Sequence, residues 1–127
     1  MKVLIVDDSS VIRRFLTKVL EPEGIEVTEA ADGPAALQAL RCGPPVDLAI
    51  LDWRLPGMDG YEVLNIIRSD TRFDQTRILM VSTETDEQHV HDALQAGADE
   101  YIMKPFTRDM IVETVNQLQR KNQRNQA

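Results

Sequence analysis

Six side chains in this sequence have the types and positions to do chemistry together: the carboxylates of Asp7, Asp8 and Asp52, the hydroxyls of Ser82 and Thr83, and the ammonium of Lys104. Each stands just past a short apolar run, at residues 3–6, 46–51, 78–81 and 101–103. If those runs are neighbouring strands, the polar groups converge on one small area. Three carboxylates packed together raise one another's pKa, and a hard divalent cation relieves that repulsion. Oxygen ligands from a few acids, a backbone carbonyl and water suit Mg²⁺. Lys104 adds the fixed positive charge that a transferred phosphoryl group needs, and Ser82 a hydroxyl that can donate to a phosphate oxygen. Asp52 is then a candidate nucleophile, since carboxylates form aspartyl-phosphate intermediates.

The elements that must position these groups follow from periodicity. Residues 3–6 are β-rich and apolar throughout, as in a strand buried on both faces. Ser9 or Ser10 can cap a helix whose apolar positions are Val11, Ile12, Phe15, Leu16, Val19 and Leu20, and Pro22 and Gly24 stop it. Residues 25–30 read as a more polar strand near a sheet edge. Asp32-Gly33 turns the chain, Pro34 suits a first helical position, and Leu37 and Leu40 give a short helix its stripe. The third strand, 46–51, leads to Asp52, a loop with Pro56, Gly57 and Gly60, and a helix through Val63, Leu64, Ile66 and Ile67. A fourth strand at 78–81 precedes a helix over 86–96 closed by Gly97. A short fifth strand at 101–103 precedes a last helix from about Thr107, with Met110, Ile111, Thr114, Val115 and Leu118 on one side. Residues 119–127 are polar and are expected to fray. Five β-then-α units predict an α/β fold, a five-stranded parallel sheet flanked by five helices and doubly wound. Ligands in such folds bind at the carboxyl ends of the strands, which is where the six polar residues fall.

The 127 residues favour one domain, with 43% hydrophobic and 28% charged residues, a globular rather than disordered composition. A net charge of −7 with no long basic stretch argues against nucleic acid or an anionic membrane as direct partner. The single cysteine, Cys42, excludes an internal disulfide and fits a reducing, cytoplasmic setting. No stretch approaches the length of a membrane span.

Four segments, VLIVDDSS (3–10), LAILDWRLPGMDG (48–60), ILMVSTE (78–84) and YIMKPF (101–106), together resemble a response-regulator receiver domain of two-component signalling, of the stand-alone chemotaxis type. The resemblance runs from Lys2 to about Leu118 and makes residues 1–127 one receiver domain with a polar tail at 119–127. It implies the flavodoxin-like strand order 2-1-3-4-5. It implies further that Asp52 accepts phosphate from a phosphohistidine on a sensor kinase or phosphotransfer protein. Asp7, Asp8, Asp52 and the Arg54 backbone carbonyl would hold Mg²⁺. Ser82 and Lys104 would bind phosphate oxygens, the latter before a cis Lys104-Pro105 bond. Ser82 and Tyr101 would form the switch, and a downstream protein would read the face made by the 86–96 helix, the fifth strand and the last helix. The expected function is a phosphorylation-dependent switch with autodephosphorylation, not a conventional metabolic enzyme.

Two positions depart from the commonest chemotaxis pattern. Ser82 replaces Thr with the hydroxyl kept. Arg54, two after Asp52, replaces the frequent Asn; it can pair with Glu84, two after Ser82, and these two positions are expected to tune the phosphoryl lifetime. Several residues have plainer readings: Asp7 and Asp8 as N-terminal charges of a helix, Asp52 as a turn residue, Lys104 as a surface lysine, Tyr101 as a static aromatic, and His89 and His91 as surface residues facing different ways. Trp53, beside Asp52, is a natural reporter of the site. The alternative function is a pseudo-receiver scaffold that acts through protein contacts without phosphorylation. A flavin carrier is disfavoured, because acids and not a Gly/Ser/Thr phosphate loop follow the first strand. An aspartate-based phosphatase is disfavoured because Arg54 stands where such enzymes carry a second acid.

Overall fold

The computed structural model describes residues 1–84 and 86–126. Among these the chain forms five strands, β1 (Lys2–Val6), β2 (Glu26–Ala30), β3 (Leu48–Asp52), β4 (Arg77–Ser82) and β5 (Glu100–Met103). They alternate with the helices α1 (Ser10–Leu20), α2 (Gly33–Cys42), α3 (Gly60–Arg68), α4 (Glu87–Gln95) and α5 (Arg108–Gln126). The strands pair in parallel in the order β2-β1-β3-β4-β5, as the resemblance implied.

Alternation along each strand sends its side chains to two separate cores. Leu4, Val6, Ala49, Leu51, Ile78 and Met80 pack under α2, α3 and α4. Val3, Ile5, Leu48, Ile50, Leu79 and Val81 pack under α1 and α5, with Leu16, Leu20, Ile111 and Val115. Every residue of β3 and β4 is buried, which is why these runs read as continuously apolar, whereas β2 lies at an edge and exposes Glu26, Thr28 and Glu29. Side-chain caps fix the helix starts. Ser9, Asp32, Asp59 and Asp86 accept backbone N–H groups of Ile12, Ala35, Glu62 and His89 at the openings of α1, α2, α3 and α4.

The structure moves several expected features. β3 begins at Leu48, not Val46, and includes Asp52 as its last residue. Val11 and Phe15, expected on the buried stripe of α1, are exposed, and so are Leu94 and Met110. A helix resting on a flat sheet buries a narrower stripe than its apolar residues span, so the flanks stay in solvent. Phe15 instead meets the Phe106 ring, with centroids 5.9 Å apart. α4 ends at Gln95 with Ala96 as its cap, and Gly97, expected to close the helix, follows at φ +111°, a conformation that favours glycine. The segment from Gln119, expected to fray, continues α5 to Gln126, with the Lys121 ammonium 3.3 Å from Asp99; Ala127 lies outside the described residues.

Below the site, one carboxylate braces the amino end of the sheet. Asp99 accepts from Arg68 at 3.1 Å, Arg77 at 3.3 Å and the Ile78 N–H at 2.8 Å. Arg68 also donates to the carbonyls of Gly97, Phe73 and Thr76, tying α3 to the connections that lead into β4 and β5.

Candidate functional site

Strand register places the polar residues. Val6 is paired with Leu51, Asp52 with Val81 and Ser82 with Met103, so the ends of β1, β3, β4 and β5 lie side by side. Asp7, Asp52, Ser82 and Lys104 therefore gather at one edge. Helix α3 closes the edge by starting close to it. The Gly60 N–H donates to the Trp53 carbonyl at 2.7 Å, and a Cβ at Gly60 would fall on the Asp52 carbonyl oxygen. Only glycine permits that approach.

Asp7 and Asp52 are buried and Asp8 is exposed; oxygens from the three carboxylates lie within 4.8 Å of one another. The Lys104 ammonium stands between two of them, 3.1 Å from Asp7 Oδ2 and 3.2 Å from Asp52 Oδ2. Asp7 Oδ1 also accepts the Ser9 N–H at 2.9 Å, which joins the carboxylate to the cap of α1. Burial raises the Asp52 pKa above its ordinary value and the Asp7 carboxylate raises it further, against the opposing pull of Lys104 and the Arg54 N–H. Burial works against the Lys104 ammonium, but Asp52 and Asp7 outweigh it and hold its pKa above the ordinary value. One ammonium thus serves two buried carboxylates and a third beside them. That deficit of positive charge, in an all-oxygen donor set, fits a hard divalent cation.

Ser82 is fully buried while Thr83 is exposed, and the Ser82 Oγ accepts the Glu84 N–H at 3.0 Å. The two rate-tuning candidates meet: Arg54 Nε donates to Glu84 Oε1, bridging the ends of β3 and β4. Tyr101 is half-buried, and its hydroxyl donates to the Glu84 carbonyl at 2.7 Å. Burial pushes its phenol pKa up. The Lys104-Pro105 peptide is cis.

His89 lies at the surface, as expected, with 35% of its side chain exposed, but it makes contacts that its sequence position did not suggest. Its ring stands edge-on to Trp53, with centroids 4.8 Å apart, and Trp53 stacks on Tyr61 at 5.0 Å. Its Nδ1 lies 2.6 Å from Asp86 and its Nε2 lies 3.8 Å from Glu84. A histidine on a polar helix carries no pattern that announces such contacts. His91, by contrast, is exposed.

A doubly wound parallel sheet with an acidic cluster and a lysine at its carboxyl edge is the build of a flavodoxin-like receiver. The chain belongs to that family: the response regulator receiver domain matches residues 3–116. Over 119 residues it is 39% identical to the chemotaxis protein CheY of Pseudomonas aeruginosa, covering 93% of this chain and 95% of that one. Over 114 residues it is 40% identical to the chemotaxis protein CheY1 of Helicobacter pylori, covering 89% and 92%. Among solved structures, the CheY-like receiver of Methanospirillum hungatei matches with a TM-score of 0.90 at 30% identity, over 98% of this chain and 97% of that one. CheY4 of Vibrio cholerae matches at 0.86 and 34% identity, over 92% and 97%. Membership places the chain in phosphorylation-dependent two-component signalling. Receivers bind Mg²⁺ at an acidic pocket, and the three aspartates here form such a cluster. No helix among the described residues is long and apolar enough to cross a membrane.

Proposed function

We propose that the chain is a single-domain switch that takes a phosphoryl group from a phosphohistidine onto Asp52 and returns it to water. The observation that carries this reading is the Lys104 ammonium shared between Asp7 and Asp52, beside a third carboxylate, at the joined ends of the strands. An Asp52 oxygen would attack phosphorus in line with the breaking P–N bond, and the donor imidazole would leave with the electron pair. Mg²⁺, held by Asp7, Asp8, Asp52 and the Arg54 carbonyl, would supply charge neutralisation at the phosphoryl oxygens. Lys104 would hold the same oxygens from the other side and lose its contact with the Asp52 carboxylate as it does so. The Ser82 hydroxyl, which now accepts from Glu84, would turn to donate to a phosphoryl oxygen. Tyr101, bonded to the Glu84 carbonyl on the same connection, would follow that movement. The readout surface would be α4, β5 and α5, and the partners would be a histidine kinase or phosphotransfer protein upstream and a protein target downstream. A pseudo-receiver gains no support from a site with every one of these groups assembled. In the return step water would attack phosphorus, releasing inorganic phosphate and restoring the carboxylate.

The test is acetyl phosphate with Mg²⁺, read by intact mass and by Trp53 fluorescence in the wild type and in Asp52→Asn. A mass gain of one phosphoryl group that needs both Mg²⁺ and Asp52 is the expected result. A fluorescence response to Mg²⁺ with no phosphoryl gain in the wild type would reject phosphoacceptance and leave a metal-binding scaffold.

A further inference from the structure

Glu84 is held from two sides. Arg54 reaches it from the connection after β3, and His89 approaches it from α4, with Nε2 3.8 Å from Oε2. Its backbone is fixed too, since its N–H donates to Ser82 and its carbonyl accepts from Tyr101. The Arg54–Glu84 pair spans the carboxyl edge between the strand ends that carry Asp52 and Ser82. A water reaching a phosphoryl group on Asp52 from between these two strand ends would have to pass that span.

We infer that His89 is a positioning residue for phosphoryl loss, which as imidazolium keeps Glu84 seated so that the Arg54–Glu84 bridge shields Asp52. The inference rests on the receiver reading above. Geometry fixes the ring independently of charge: it stands edge-on against Trp53, itself stacked on Tyr61. The charged groups facing it are Glu84, from the connection after β4, and Asp86 and Asp92, from its own helix and cap; Arg54 reaches it only through Glu84. All three facing groups are anionic. The hydrogen bond with Asp86 holds the imidazolium above its ordinary range against a smaller effect of burial, and Glu84 and Asp92 add to the rise. When the ring loses its proton, Glu84 keeps Arg54 but loses its anchor on α4.

The imidazolium also lies against the indole, so its titration is visible without phosphorylation. In the metal-free protein, Trp53 emission is expected to rise from about pH 5 to about pH 8.5, with a midpoint above the ordinary histidine value, and His89→Gln is expected to flatten it. The decisive measurement follows decay of the acetyl-phosphate-loaded protein at saturating Mg²⁺ over the same pH range. At the acid end His89→Gln should lose phosphate about two- to fivefold faster than wild type, the range that one exposed ion pair supports, and the two rates should converge at the alkaline end. Glu84→Gln should abolish the same pH-dependent difference. A constant ratio of rates across pH, or equal rates throughout, would overturn the inference while leaving phosphoacceptance intact. A wild type that takes no phosphoryl group would instead remove the receiver reading, and this inference with it.

Discussion

In the absence of metal, the Asp52 carboxylate opposes folding, and Asp52→Asn should stabilise the protein at neutral pH. At an effective dielectric of about 20, unit charges 3.2 Å apart, as Lys104 and Asp52 are, attract by about 5 kcal/mol, while charges 4.8 Å apart, the outer limit within the aspartate cluster, repel by about 3.5 kcal/mol. Asp52 faces one ammonium, which it shares with Asp7, and two carboxylates, of which the exposed Asp8 is the more screened. Attraction and repulsion nearly cancel, and the cost of burying the charge then decides the sign. Asparagine keeps the shape and an oxygen for Lys104 but removes the charge. We expect a gain of about 1–3 kcal/mol, with roughly 3–5 °C in Tm per kcal/mol for a domain of this length.

The pH dependence carries the same sign. The folded-state pKa of Asp52 is raised above 3.8, so the folded protein binds this proton more tightly than the unfolded chain does. The penalty is absent at pH below the unfolded value, grows as pH rises through the folded value and is complete above it. Thermal melts in chelator should therefore show the variant above wild type at pH 7 and the gap closing below about pH 4. Added Mg²⁺ should stabilise wild type by mass action and narrow or reverse the gap, because the variant lacks one ligand. A variant that melts at or below wild type at pH 7 in chelator, with an unchanged pH profile, would refute this reasoning.

Three further perturbations test other parts of the structure. Arg54→Ala should leave stability within about 1 kcal/mol, since its side chain is largely exposed, yet speed loss of phosphate about twofold or more; unchanged decay beside altered Mg²⁺ affinity from Trp53 titration would contradict it. Gly60→Ala should cost about 1–3 kcal/mol or more in urea unfolding and weaken Mg²⁺ binding, because its Cβ meets the Asp52 carbonyl and lies 2.9 Å from the Trp53 Cα; a stable variant with full Mg²⁺ affinity would show that α3 can step back freely. Asp99→Ala removes the carboxylate shared by Arg68, Arg77 and Lys121 and should cost about 3 kcal/mol with the Mg²⁺ response retained; a loss under about 1 kcal/mol would mean the brace is incidental.

What the sequence makes legible and what it hides divide along the range of the interactions. Buried strands declare themselves as apolar runs, and the polar residue just beyond each run falls at the carboxyl edge by topology alone; Asp7, Asp52 and Lys104 needed nothing else to be brought together, whereas alternation left Ser82 and Thr83 open and only the resemblance chose Ser82. Caps are equally local, so the cap of α1 was readable from its neighbours as Ser9 or Ser10. Asp99 and His89 have no such signature. Asp99 braces Arg68 and Arg77 from 31 and 22 positions away, in a stretch that reads only as a turn before a short strand. His89 gains its meaning from Trp53 and Glu84, which lie on two different connections, and a helix pattern says only which way a side chain points. Gly60 looked like one more turn residue, whereas its lack of a Cβ lets α3 begin against Asp52. The exposed Val11 and Phe15 show the converse: a helical stripe reports capacity for burial, and the width of the contact with the sheet decides how much of it is used. The site's chemical groups are thus encoded locally, while the parts that hold and shield them are tertiary. Substitutions at Gly60, His89 and Asp99 are accordingly the ones that separate the site's chemistry from its support.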